Sequence, residues 1–262
     1  MGRRSGLDRG IVDSVTWLGH STVLLEIAGT RLLTDPLLCP HAGLLRRRTP
    51  PPTEEHWREV DVVLLSHLHH DHAHVRSLRE LGPVPILTGR ENAAWLRGRD
   101  LPGVPLEGWR DVGEVSVRLV PAVHHSRPMP HRPNEAHGHL LRSESAAVWV
   151  AGDTSLYDGL RELPAWAGRD RIDVAVVPVG GWGPRLSPGH MGPEEAAVAC
   201  AETGARYAVP VHWGTFHVPP TGWFGSWTRR PVELFADALA RIAPHCHLVP
   251  LRAGGERSVL DL

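Results

Sequence analysis

A chain of 262 residues with a formal net charge of −1 has the length for one large α/β domain or two small ones. It lacks the net field that would hold it on nucleic acid or an anionic membrane. Hydrophobic residues make up 42% and charged residues 22%, an ordinary globular balance, and no apolar run approaches the roughly 20 residues of a membrane span.

In chain order, Met1-Gly-Arg-Arg-Ser-Gly is basic with no apolar stretch behind it, which reads as no signal peptide and a cytoplasmic protein. Short apolar runs follow at Thr16–Leu18, Val23–Ile27 and Arg31–Thr34. Their length and Val/Leu content suit buried strands. Cys39 to Thr53, with an arginine cluster and a triple proline, reads as an exposed loop. Strand-like runs resume at Val62–Leu65, Ile86–Thr88, Val115–Val120, Ala146–Val150, Val174–Val179 and Tyr207–Val211. Helical stretches lie between them, at Leu78–Leu81, Glu91–Arg97, Pro193–Gly204 and Pro231–Ile242. Pro193 suits a first helical turn and Gly204 a stop. The pattern predicts a layered α/β protein, a single domain over 1–262 with two similar halves meeting near residue 145.

All 28 basic residues are arginine, which excludes a lysine nucleophile, a Schiff base and a P-loop lysine. Three cysteines (Cys39, Cys200, Cys246) are scattered without a CxxC, which argues against a disulfide framework and a cysteine-based zinc site. The 18 histidines carry more information, because imidazole is the commonest metal ligand and a near-neutral acid/base. The densest cluster is Val62-Val-Leu-Leu-Ser-His67-Leu-His69-His70-Asp71-His72. His67 and His69 face the same way on extended backbone. Asp71 and His72, beyond the bend, can reach a second point in the same pocket. Three imidazole nitrogens and a carboxylate oxygen suit Zn²⁺, Mn²⁺ or Fe²⁺.

This run resembles the HxHxDH motif of the metallo-β-lactamase superfamily. Further segments agree in order and spacing from about residue 11 to 250. Trp17-Leu-Gly-His-Ser-Thr and Leu32-Leu-Thr-Asp-Pro look like that fold's opening strands, and Pro121-Ala-Val-His124 like its third histidine motif. Ala151-Gly-Asp153-Thr is similar to its bridging-aspartate motif and Val209-Pro-Val-His212-Trp-Gly to its last histidine motif. The resemblance implies a four-layer αββα sandwich with the site at one edge between two mixed sheets. It implies that His67, His69 and His124 hold one divalent cation and Asp71, His72 and His212 another, with Asp153 bridging. Zinc is the first expectation, with manganese or iron as alternatives. Two such ions ~3.5–4 Å apart lower the pKa of a shared water toward ~7, and the hydroxide attacks a carbonyl or phosphoryl centre. Asp71 would orient that nucleophile and take its proton.

Gly189-His-Met-Gly-Pro-Glu-Glu-Ala narrows the resemblance. It is similar to a segment of the branch holding the L-ascorbate-6-phosphate lactonases and the N-acyl-phosphatidylethanolamine-hydrolysing phospholipases D. His190 would then contact the substrate's oxyanion or phosphate; the alternative is a plain helix-start histidine. His20 is either a support for the ligands or packing. His70, His74, His125, His131, His137, His139, His217, His245 and His247 are expected outside the ligand set. Among the 10 tryptophans, Trp182, Trp213, Trp223 and Trp227 fall in or beside loops that build the pocket wall in this fold, or else pack in the core.

The expected function is hydrolysis of a lactone, ester or phosphodiester bond of a small soluble substrate, phosphorylated or not. A lipid phosphodiesterase of the phospholipase D type and a nuclease of the same superfamily are the alternatives. Near-zero charge counts against the nuclease. The membrane contact that a lipase needs has only Leu44-Leu-Arg-Arg-Arg to offer. An iron-dependent redox enzyme and a non-enzymatic metal scaffold are further readings of the same ligands. Oligomeric state is not legible.

Overall fold

The computed structural model describes residues 13–124, 131–133, 135–183, 185–219 and 229–260; His125, Trp223 and Trp227 lie outside them. The first part of the chain holds strands β1 (Asp13–Gly19), β2 (Thr22–Ile27), β3 (Thr30–Thr34), β4 (His41–Ala42) and β5 (Leu45–Arg47). Helix α1 (Glu54–Trp57), β6 (Val62–Leu64), α2 (Val75–Glu80), β7 (Ile86–Thr88), α3 (Arg90–Arg97) and β8 (Gly103–Pro105) follow. Next come β9 (Arg110–Val112), β10 (Val115–Pro121), β11 (His137–Arg142), β12 (Ala147–Val150), α4 (Leu163–Trp166) and β13 (Val174–Pro178). The last elements are α5 (Pro193–Glu202), β14 (Tyr207–Val211), β15 (Phe216–His217), α6 (Arg230–Ile242), β16 (His247–Leu248) and β17 (Glu256–Leu260).

Two seven-stranded sheets result, in spatial order β17-β1-β2-β3-β6-β7-β8 and β16-β14-β13-β12-β11-β10-β9. Both are mixed. In the first, β17 to β3 pair antiparallel and β3 to β8 parallel. In the second, β9 to β12 pair antiparallel and β12 to β16 parallel.

Alternation along the strands explains why the sheets stack. Val62 and Leu64 of β6 face Val148, Val150, Val174, Val176, Val209 and Val211 of the second sheet, in one cluster between the sheets. Their neighbours Val63 and Leu65 point the other way, to Leu78 of α2 and Leu96 of α3. Ala147 and Trp149, Ala175 and Val177 likewise turn outward, beneath Ala196 and Cys200 of α5 and Phe235 and Leu239 of α6. Side chains with period two on both-face-buried strands give this four-layer αββα arrangement. α6 covers its sheet with Phe235, Ala238 and Leu239, one face at three- and four-residue spacing. No helix among the described residues is long and apolar enough to cross a membrane.

Strand β9, from Arg110, belongs to the second sheet, and the run at 115–120 joins that sheet through a hairpin with 137–142. Two sequence expectations change. The segment from Cys39 to Thr53 is not all exposed loop. Cys39, Ala42 and Leu45 are buried, and β4 and β5 pair with β15 in a small third sheet. Helix α2 begins at Val75, ahead of the expected Leu78.

Candidate metal centre

The site is assembled from strand ends. β1, β3 and β6 deliver His20, Asp35 and the His67–His72 turn from the first sheet. β10, β12 and β14 deliver His124, Asp153 and His212 from the second. Parallel pairing of β3 with β6, of β12 with β13 and of β13 with β14 aligns the carboxyl ends of those strands. Ligand sites in α/β sheets collect at such ends. Among the described residues, six non-glycine residues have positive φ, and three of them are His20 (54°), Asp35 (35°) and His212 (63°). Backbone held in this costly region persists where surrounding contacts over-determine it, and it clusters at functional sites.

The seven expected ligands converge, in two groups. Nitrogens of His67, His69 and His124 and an oxygen of Asp153 all lie within 4.8 Å of one another. Within the group, His69 Nδ1 is 2.8 Å from His67 Nε2 and 3.0 Å from His124 Nε2. The second group is Asp71, His72 and His212, joined by His20. Asp153 lies between the groups. Its Oδ2 is 3.1 Å from His72 Nε2, 3.3 Å from His212 Nε2 and 4.0 Å from His67 Nε2.

The outer hydrogen bonds fix the tautomers. His124 Nδ1 donates to the Gly189 carbonyl and His212 Nδ1 to the Gly180 carbonyl, both at 2.8 Å. A carbonyl only accepts, so the proton sits on Nδ1 and the Nε2 lone pair faces inward. Asp35 does the same for the first sheet. Its carboxylate accepts from the Ser66 amide (2.8 Å), the Ser66 hydroxyl (2.7 Å) and His72 Nδ1 (2.9 Å). Ser66 Oγ in turn receives His67 Nδ1 at 2.9 Å. Asp35 and Ser66 escaped the sequence reading as site residues. The available signal was an aspartate at an apolar strand end, before a proline.

Gly152 allows Asp153 its place. Its φ is +64°, and a Cβ there would lie 2.8 Å from Ser66 Cβ and 3.0 Å from the His137 carbonyl oxygen. Gly152→Ala should therefore cost about 1–3 kcal/mol of folding stability. Urea unfolding measures this, and an unchanged midpoint would show that the segment relaxes.

The donor set fits a divalent cation. Buried His72 Nε2, His212 Nε2 and Asp153 Oδ1 have no hydrogen-bond partner, and acceptor atoms gathered in a dry pocket are costly unless positive charge lies between them. Burial first, then the neighbouring His72, holds the His69 imidazole down at about 4, and burial pushes His67 and His124 below the usual histidine range. These rings are neutral at pH 7, as ligands must be. For Asp71 and Asp153 burial opposes ionisation, yet the surrounding imidazoles outweigh it and hold both carboxyls well below their usual range. His72 goes the other way: burial opposes its proton, but Asp153 and Asp35 together draw it well above the usual range.

A cavity of about 760 Å³ opens onto the centre. Its floor includes His69, Asp71, Asp153, His190 and His212, and its walls include Leu44, Leu45, Leu68, Trp182, Leu186 and Val218. His190 stands at this floor, with Nε2 3.2 Å from Asp153 Oδ2 and Nδ1 3.1 Å from the Ser187 carbonyl. At the N-terminus of α5 beyond it, Glu195 accepts from the Gly192 amide at 2.9 Å. Trp182 is 40% exposed and lines the cavity. Trp213 does not line it: the ring packs 5.0 Å from Trp17, and its Nε1 donates to the Pro210 carbonyl. His70 is exposed and meets Arg132, His74 meets Ser77, and His137 pairs with Glu135. His139 is buried on β11.

The family description "Beta-lactamase superfamily domain" matches residues 30–213. A metal-dependent hydrolase of Methanoculleus marisnigri is 32% identical over 211 residues, covering 77% of this chain and 81% of that protein. N-acyl-phosphatidylethanolamine-hydrolyzing phospholipase D 1 of Caenorhabditis elegans is 27% identical over 247 residues, covering 80% of this chain and 66% of that protein. The chain spans only 61% of the length of matching proteins from Mycobacterium. Among solved structures, Igni18, a metallo hydrolase from Ignicoccus hospitalis, shares the fold with a TM-score of 0.72 and 20% identity, over 96% of this chain and 99% of that one.

Proposed function

The chain belongs to the metallo-β-lactamase superfamily of metal-dependent hydrolases, and we propose that it cleaves a lactone, ester or phosphodiester bond in a small substrate bearing an apolar arm. The cavity carries this reading. The candidate ligands His69, Asp71, Asp153 and His212 line it together with His190, and Leu44, Leu45, Leu68, Leu186, Val218 and Trp182 supply apolar lining beside them. Such a division fixes a reacting polar group and leaves an apolar arm against the sides.

In this reading His67, His69 and His124 would hold one divalent cation and Asp71, His72 and His212 a second, with Asp153 available to both. Such ions, zinc first and manganese or iron as alternatives, would supply Lewis acidity and bring the pKa of water toward ~7. Asp71 Oδ2 is held by His20, which leaves Oδ1 to orient the attacking water and take its proton. His190 faces the carbonyl or phosphoryl oxygen on which charge develops. Trp182 and Leu186 keep bulk water from the reacting bond.

A lipid phosphodiesterase is the second reading. The exposure of Leu44 (79%), Trp182 (40%) and Leu186 (39%) around the cavity favours it, and the nematode relative's name describes such an activity. A nuclease has less support. Among the described residues lining the cavity, Arg185 is the one arginine, where a polynucleotide would need a basic track.

The test is a panel of bis(p-nitrophenyl) phosphate and γ-lactones of increasing chain length, given to metal-loaded protein. Turnover of at least one ester class is expected. Across a series, kcat/KM should rise about fourfold per added methylene, the equivalent of ~0.8 kcal/mol each. Fully loaded protein that turns over no ester or phosphodiester would sink the reading.

A further inference from the structure

His20 has 1% of its surface exposed and occupies the short turn between β1 and β2 at φ 54°. Its main chain is tied on both sides. The amide donates to Thr215 Oγ1 at 2.8 Å, and the carbonyl accepts from the His212 amide at 3.0 Å and from Trp17 Nε1 at 2.8 Å. Its ring lies 4.0 Å from that of His212, with Phe216 edge-on at 5.5 Å. Its Nε2 is 2.9 Å from Asp71 Oδ2.

A carboxylate accepts and cannot donate, so the ring gives its Nε2–H to Asp71. His20 belongs to the group within 4.8 Å formed with Asp71, His72 and His212, and the nitrogen it turns to Asp71 is Nε2. A nitrogen carrying a proton cannot ligate. We propose that His20 is a positioning residue for the Asp71–His72–His212 half of the centre, its ring fixing the Asp71 carboxylate and its carbonyl fixing the loop that carries His212. This rests on the two-cation reading above. One residue on the β1–β2 turn thereby sets two of that half's three ligands, and the strained φ is the cost of reaching both.

The experiment titrates metal-free protein with Zn²⁺ and with Co²⁺, by calorimetry and by the visible Co²⁺ bands. Two variants share the backbone strain: His20→Gln keeps an N–H within reach of Asp71, and His20→Leu removes it. Should the leucine variant fail to fold, as judged by melting of the metal-free protein, His20→Ala gives the same contrast. The wild type should bind two equivalents. His20→Leu should keep one tight equivalent and weaken the other about 10–100-fold, with His20→Gln recovering most of that loss. At saturation the Co²⁺ bands of His20→Leu should match the wild type. Equal affinities in the wild type and His20→Leu would overturn the proposal, as would no recovery with glutamine. Shifted Co²⁺ bands at saturation would make His20 a ligand and overturn it too. A wild type that takes up no second equivalent overturns the two-cation reading itself, a result seen before any variant is made.

Discussion

Asp71→Asn should lower kcat by about 10²–10⁴ on any ester the protein turns over, the range that a positioned proton acceptor contributes. Asparagine keeps the volume and still offers an oxygen to His20 Nε2, 2.9 Å from the native carboxylate. It lacks the charge to take a proton from the attacking water. Cation content must be measured on the same samples, because Asp71 also stands within 4.8 Å of His72 and His212. The informative result is a fully loaded variant with a collapsed kcat. A loaded Asp71→Asn within about threefold of the wild-type kcat would remove Asp71 from the proton-transfer step.

Asp35→Ala should cost about 3 kcal/mol or more of folding stability. The carboxylate is buried, at 2% exposure, and accepts from the Ser66 amide, the Ser66 hydroxyl and His72 Nδ1. Deletion strands those donors in a dry site, at roughly 1–3 kcal/mol for each unsatisfied group. Asp35→Asn separates stability from ligand chemistry. Its amide N–H₂ can face His72 Nδ1 only if the ring moves its proton to Nε2. That is the nitrogen 3.1 Å from Asp153, turned toward the centre. The asparagine variant should therefore unfold nearer to wild type in urea, yet bind its cations about 10–100-fold more weakly. Wild-type cation affinity in Asp35→Asn would show that the His72 tautomer is not set from Asp35.

The convergence of the candidate ligands is legible because their positions are local. An apolar strand followed by His67-x-His69-x-Asp71-His72 needs only the period of extended backbone and one bend to converge, and His124, Asp153 and His212 each end an apolar run. The layering was legible for the same reason, through runs such as Val174–Val179 that can only be buried. Support for the ligands was not. Asp35 reaches across 31 residues to Ser66 and 37 to His72, and nothing in Thr34-Asp35-Pro36 states which strand will lie beside it. β4, β5 and β15 are two or three residues long, too short for any periodicity. The sheet to which Val115–Val120 belongs is not legible in the sequence, because such a run looks the same whether it closes one sheet or opens the next; only its pairing with His137–Arg142 decides.

The small third sheet ties the rim of the cavity to its floor. Its β4–β5 hairpin carries Leu44 at the cavity wall, and β5 pairs with β15 through Arg47↔Phe216 and Arg46↔His217. Arg47 also donates to the Leu18 carbonyl at 2.9 Å and the Leu37 carbonyl at 2.6 Å, and lies over the Phe216 ring. Phe216 touches His20 edge-on, and Thr215 caps the His20 amide. The hairpin at the rim is thus joined, through Arg47, Phe216 and Thr215, to the His20–His212 pair. Substitutions in β5 or β15 that reshape the rim are therefore expected to shift the His20–His212 contact as well.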